Sequence, residues 1–268
     1  MGRAQSSCDK RGSLYGQCRS PYVWPAHDRA PPTREGHPPV NQKNSYLLGT
    51  RYLYHGTSIA AWQAIRRGGA LLPRGGDSGN WSHTVRSHEG VIYLTNAYGL
   101  YFAACASEQG SEGVVLQIDV DALAAPQLCC DEDAYALLDL KRAHPGKSVE
   151  ELVQHAKDTL PVGATYAAAS LQAIGNCGYL AAIPLGAVTC AVAINWRLNP
   201  QLTLASLDAV VSPQAYRFVG SYYRQLTQWL FDPSSALQVE SDPLTLGMKF
   251  PETSAGVSPV WPEPSRLP

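Results

Sequence analysis

Residues 51 to 73, RYLYHGTSIAAWQAIRRGGALLP, change hydrophobic period partway, and that change restricts the fold more than any other feature of the chain. RYLY has the short apolar run of a strand, whereas Ile59, Trp62 and Ile65 recur at the spacing of a helix face. Thr57 or Ser58 stands where a helix takes its N-cap, and Gly68 and Gly69 stand where one stops. A strand therefore feeds directly into a helix, with His55 at the join and Gly56 beside it. Folds built of strands alone or helices alone cannot accommodate this stretch.

The rest of the chain mixes the two periods in the same way. GVIYLT (90 to 95) reads as a strand, and Asn96 can cap a helix whose apolar face falls at Ala97, Leu100, Tyr101, Ala104 and Cys105. GVVLQIDVDAL alternates, with Val114, Leu116, Ile118 and Val120 on one face, as in a half-exposed strand. Residues 131 to 175 are acidic and helical in pattern: Ser148 and Glu151 form a capping box ahead of a stripe at Val149, Leu152, Val153 and Ala156. GYLAAIP (178 to 184) and AVTCAVAI (187 to 194) read as two further strands. Ser212 and Pro213 open a last helix carrying Tyr216, Val219, Tyr223, Leu226 and Leu230. No regular alternation of strand and helix and no G-x-G-x-x-G occurs, so a doubly wound dinucleotide fold is not expected and the class is α+β.

Composition sets the boundaries. Of the 268 residues, the first 45 hold stretches such as PPTREGHPPVNQKN, too polar and aperiodic to bury the surface that ordering requires, and they read as a disordered arm. Residues 236 to 268 are similarly rich in Pro and Ser and read as a loose tail. One domain is expected over 46 to 235, with the acidic helical segment 131 to 175 inserted in it. The formal net charge of -1 provides no global basic field for duplex nucleic acid. No apolar run approaches a membrane span, and the N-terminus lacks the apolar centre of a secretory signal. A soluble cytoplasmic protein is expected, with no membrane partner; export as an effector without a signal peptide stays open. The seven cysteines include no C-x-x-C pair and suit neither a disulfide framework nor a metal centre.

Several residues have chemistry beyond packing. The glycine-rich loop from 68 to 90 holds Arg74, Arg86, His83 and His88, and such a loop can close on a diphosphate through charge-assisted bonds from arginine. Between 45 and 105, five arginines face one Asp and one Glu, so this half is mildly positive. Tyr93 and Tyr101 are equally explained as core residues of their strand and helix, and the arginines as solvated loop charges.

The ordered set YHGT (54 to 57), GVIYLT (90 to 95) and NAYGLYFAACA (96 to 106) resembles ADP-ribosyltransferases of the diphtheria-toxin and poly(ADP-ribose) polymerase branch, whose signature is His, Tyr, Glu. It is also similar to DarT-like nucleic-acid modifiers and to tRNA 2'-phosphotransferases, which share that core. The resemblance spans residues 50 to 195 and implies a split antiparallel sheet flanked by helices. It implies NAD as co-substrate and transfer of ADP-ribose to a macromolecule, protein or nucleic acid, with nicotinamide released. In that reading His55 positions a ribose, Gly56 and Thr57 line the ligand, Arg74 or Arg86 holds the diphosphate, and Tyr93 with Tyr101 or Tyr98 orients the nicotinamide ring. A toxin or effector of this kind has a cognate inhibitor or antitoxin as a further partner.

The signature's glutamate has no counterpart at the matching position, which falls at Asn176. An amide can accept a hydroxyl's hydrogen bond without supplying charge. Gln172, Asp208 and Glu240 are the other polar candidates. Two rivals follow: a non-catalytic binding module of the same fold, and an RNA 2'-phosphotransferase drawing on His83, His88 and Arg86.

Overall fold

The computed structural model describes residues 43–73, 87–106, 112–194, 220–232 and 265–267. Residues 1–42 of the expected N-terminal arm, Arg74, His83, Arg86 and the start of the last expected helix lie outside the described residues.

β1 (Tyr52–Ser58) is longer than its apolar letters indicate, running through His55 and Gly56 to Ser58. The reason is pairing: all seven residues match β4 (Gly113–Asp119) antiparallel, from Tyr52↔Asp119 to Ser58↔Gly113. α2 (Ile59–Gly68) begins at once, with the Ser58 hydroxyl accepting from Ala61 N, and ends at Gly69 with φ 76°. β2 (Ala70–Leu71) later pairs with β7 (Ile183–Pro184) as a small separate sheet.

β3 (Ile92–Thr95) leads into α3 (Gly99–Ala106). The cap here is Thr95 rather than Asn96: its hydroxyl accepts from Ala97 N at 3.1 Å and Tyr98 N at 2.9 Å and donates to Gly175 O at 2.7 Å. Beyond β4 come β5 (Leu128–Cys129), α4 (Glu132–Tyr135), a π turn at Ala136–Leu140, and α5 (Lys141–Ala143). α6 (Val149–Asp158) carries both halves of the expected capping box, Glu151 N to Ser148 Oγ and Ser148 N to Glu151 Oε2. α7 (Ala164–Ile174), β6 (Asn176–Tyr179) and β8 (Val188–Ile194) follow, then α8 (Ser221–Phe231) and β9 (Ser265–Arg266).

The main sheet has the order β5-β6-β3-β1-β4-β8-β9, antiparallel throughout. The fold is α+β. Alternation sends Leu53, Ile92, Leu94, Leu116 and Ile118 to one face, where Trp62 and Ile65 of α2 and Ala167 and Leu171 of α7 cover them. Tyr54, Val115, Val192 and Ile194 point the other way, onto Tyr98 and Tyr101 of α3 and Tyr223, Leu226 and Leu230 of α8. The acidic helices do not stand apart. Leu152, Val153 and Ala156 of α6 form a third cluster with Ala173 and Ile174 of α7, the helix that also packs on the sheet.

A short helix α1 (Asn44–Leu48) straddles the expected start of the domain, held by Asn44 Nδ2 donating to Val120 O and Leu123 O at 2.8 and 2.7 Å. At the other end, Ser265 and Arg266 of the expected loose tail pair with Ala193 and Val192. Among the described residues, no helix is long and apolar enough to cross a membrane.

Candidate functional site

The sheet opens between β1 and β3. Their pairing is confined to Tyr54↔Thr95, while β1 continues for four more residues paired to β4 alone. Among the described residues, no strand takes up the backbone edge of β1 past Tyr54 on the β3 side.

His55 bridges this opening. Its Nδ1 lies 2.9 Å from Tyr93 O, and because a carbonyl only accepts, the ring nitrogen carries the proton and donates. In a neutral imidazole that contact fixes the tautomer, with the lone pair on Nε2. His55 is opposite Leu116 and so leaves the sheet on the α2 and α7 side, whereas Tyr93, adjacent to Leu94, leaves on the other. The two rings do not face one another, so a ligand touching both would lie in the opening itself.

Gly56 has a tight steric role. A Cβ there would lie 2.2 Å from Ala103 N, 2.5 Å from Gly99 O and 2.6 Å from Phe102 C, so α3 rests directly on the β1 backbone. That face of Gly56 is filled by protein and leaves only the strand edge for a ligand. Thr57 is buried within the sheet, opposite Val114.

The phenol of Tyr93 ends in a small, partly buried polar cluster. Its hydroxyl donates to Glu132 Oε1 at 2.5 Å and accepts from His88 N at 2.8 Å, while His88 N also reaches Glu132 Oε1 at 3.1 Å. Burial, then the neighbouring Glu132 charge, pushes the Tyr93 phenol well above its usual range, so it remains a donor. Glu132 is only 4% exposed, and its second oxygen, Oε2, is buried without a hydrogen-bond partner among the described residues. It begins α4 directly after Asp131, whose carboxylate caps the turn by accepting from Asp133 N at 2.9 Å. Burial and the adjacent acids raise both flanking carboxyls, Asp131 well above its usual range and Asp133 to about 7.

The other expected site residues are placed differently. Tyr98 and Tyr101 are 0% and 1% exposed, packed edge-on or tilted against Phe102 and Tyr223. The apolar stripe of α3 places both rings in the core, and neither faces the opening. Asn176 does sit on the strand beside β3, but it is buried opposite Thr95, two residues or about 7 Å along from Tyr93. Gln172 lines a different cavity of about 710 Å³ together with Tyr54, Asn96 and Arg224; neither His55 nor Tyr93 lines it. Arg74, Arg86, Asp208 and Glu240 lie outside the described residues.

Sequence reasoning missed Glu132. The available signal was the run Asp131-Glu132-Asp133 directly after an apolar strand, where acids that begin a helix next to a sheet face can be drawn into the interior. Among the described residues, no group of three or more His, Cys, Asp or Glu side chains could hold a metal ion, and the five described cysteines are free thiols. Burial pushes the Cys129 thiol up to about 12, which leaves it unreactive at neutral pH.

No protein-family model matches the chain, and no curated protein matches it.

Proposed function

We propose that this chain is an NAD-dependent mono-ADP-ribosyltransferase of the diphtheria-toxin and poly(ADP-ribose) polymerase type, acting on a protein or nucleic-acid acceptor. The observation that carries the reading is the meeting of the His-Gly strand with the Tyr strand at an interrupted pairing, with His55 Nδ1 2.9 Å from Tyr93 O. A planar carboxamide can pair with a free strand edge as another strand would, donating its N–H and accepting at its oxygen. The edge at Gly56 has that character, since α3 occupies its face and, among the described residues, no strand occupies its β3 side. His55 and Tyr93, on either side of the same opening, are the groups that would orient the rest of the dinucleotide.

The tyrosine stacking implied by the resemblance is not carried into this proposal, because Tyr98 and Tyr101 pack in the core. A uncharged residue at 176 favours a second reading, a module that binds NAD without cleaving it. One pair of measurements separates them: calorimetric titration with NAD, and free nicotinamide released during incubation with NAD. Uptake with release supports the transferase, and uptake without release supports the binding module. His55→Ala is expected to weaken uptake at least about tenfold, the equivalent of one lost hydrogen bond of about 1.4 kcal/mol. No uptake of NAD by the wild-type chain refutes both.

A further inference from the structure

We propose that the cavity of about 710 Å³ between α1, α7 and α8 binds a small planar organic carboxylate, with Arg224 as the cation that holds it. The inference stands apart from the NAD reading, since neither His55 nor Tyr93 lines this cavity.

The sequence of α8 builds the charged wall. Ser221, Arg224 and Gln228 follow one another at i, i+3 and i+7 and so share one face of the helix. Tyr223, Leu226 and Leu230 form the opposite face and pack against Tyr98 and Tyr101 of α3. With its apolar side committed to the core, α8 turns its polar side to the cavity. Arg224 also reaches Asn96 Oδ1 at 3.5 Å, which keeps the guanidinium at the end of β3.

The facing walls come from α7 and α1. Ala168, Leu171 and Gln172 share one face of α7, so apolar and amide surface lie side by side. Tyr46 of α1 lines the cavity with its ring 77% exposed. Its short helix has a firm base: besides the two bonds of Asn44, Ser45 N and Oγ donate to the Asp121 carboxylate at 2.8 and 2.9 Å. An aromatic face held in water at a cavity wall is suited to stack with a planar group.

Charge and size narrow the ligand. Among the described residues that line the cavity, Arg224 is the one charged side chain, and none is Asp or Glu. An ammonium group would find no carboxylate here, which disfavours amines and zwitterions. A phosphate monoester carries a charge of about −1.5 to −2 at neutral pH, more than one guanidinium balances. A carboxylate carries one, and its two oxygens match the planar fork of arginine. The amides of Asn96, Gln172 and Gln228 both donate and accept, so they suit a hydroxyl or carbonyl on the rest of the molecule. The volume lies within the range of about 300–1,000 Å³ usual for small-molecule sites.

Calorimetric titration of the full chain with 4-hydroxybenzoate tests the site, with 4-hydroxybenzamide as the uncharged counterpart and phenyl phosphate as the dianion. The expected result is saturable uptake of 4-hydroxybenzoate at least about tenfold tighter than that of the amide, the effect of one charge-assisted bond. Arg224→Gln should weaken that uptake at least about tenfold by the same bond. Gln228→Glu, at an exposed position one turn further along α8, sets a negative charge beside the guanidinium and should weaken it at least about threefold. Circular dichroism establishes that each variant is folded, and if Arg224→Gln does not fold, Gln228→Glu decides alone. No saturable uptake by wild type, equal uptake of acid and amide, or a folded variant that binds as wild type does overturns the inference. Tighter uptake of phenyl phosphate than of 4-hydroxybenzoate overturns the assignment to a carboxylate.

Discussion

Replacing Gly56 by alanine tests the packing on which the opening depends. The added methyl would fall 2.2 Å from Ala103 N, 1.2 Å short of an ordinary 3.4 Å contact, and would also crowd Gly99 O and Phe102 C. All three atoms are helix backbone, so no side-chain rotation relieves the clash and α3 must withdraw as a body. Overpacking of a core costs about 1–3 kcal/mol, and a rigid opposing surface puts Gly56→Ala near or above about 3 kcal/mol. Withdrawal also thins the contacts of Tyr98 and Tyr101 with Tyr223, and a gap of about 0.5–1 Å forfeits a quarter to a half of the dispersion attraction there. Equilibrium urea denaturation measures the loss. Gly113→Ala, whose Cβ would meet Ala103 O at 2.5 Å, should be destabilised through the same helix. Gly68→Ala, with nothing within 4 Å, should gain up to about 1 kcal/mol as helix glycines do when replaced. A Gly56→Ala protein within about 0.5 kcal/mol of wild type, the usual range of neutral surface changes, would show that α3 does not rest on β1 as described.

Two other outcomes follow from single contacts. Thr95→Val keeps the shape of a fully buried side chain but takes the acceptor from Ala97 N and Tyr98 N, while Gly175 O keeps the Asn96 N–H at 2.9 Å, so urea denaturation should show a loss of about 1–3 kcal/mol; a neutral result would discount the hydroxyl's capping role. Asp133 is raised to about 7 by burial and by Glu132, against the opposing effect of Lys157. The native chain then holds a proton between about pH 4 and 7 that the unfolded chain, near pKa 3.9, has released, so this group makes stability fall as pH rises through that window. Denaturation at pH 5 and 7.5 should show the fall in wild type and a smaller one in Asp133→Asn; equal slopes would refute it.

Much of the scaffold was legible in the residues because period and packing coincide. The alternation Val114, Leu116, Ile118 gave β4, and Ile59, Trp62 and Ile65 placed α2, since each face meets a single layer of core. β1 was read too short for a definite reason: His-Gly-Thr-Ser contains no alternating hydrophobic signal, and its extended form is imposed by β4, some 60 residues on. α1 was absent from the reading because its anchor is a pair of long-range bonds from Asn44 to residues 120 and 123.

The site was less legible than the scaffold. The meeting of the His55 and Tyr93 segments was implied by the family resemblance of their ordered motifs, but the face on which each side chain leaves depends on strand register, which a local pattern does not reveal. Tyr101 satisfied packing and ligand readings equally, and α8, through Tyr223, decides for packing. Glu132 was invisible because burial of an acid is a property of its surroundings. Here those surroundings are a phenol from β3 and a main-chain N–H from residue 88.

β9 gives the far border of the sheet a cover. Ser265 and Arg266 lie along Ala193 and Val192, and Arg266 also donates to Phe231 O at 3.0 Å, fastening the segment to the end of α8. Removing Ser265 and Arg266 would expose the edge of β8 at Val192 and Ala193 as a template on which a second molecule could zip. Ser265 and Arg266 thus stand guard over that seam against self-association.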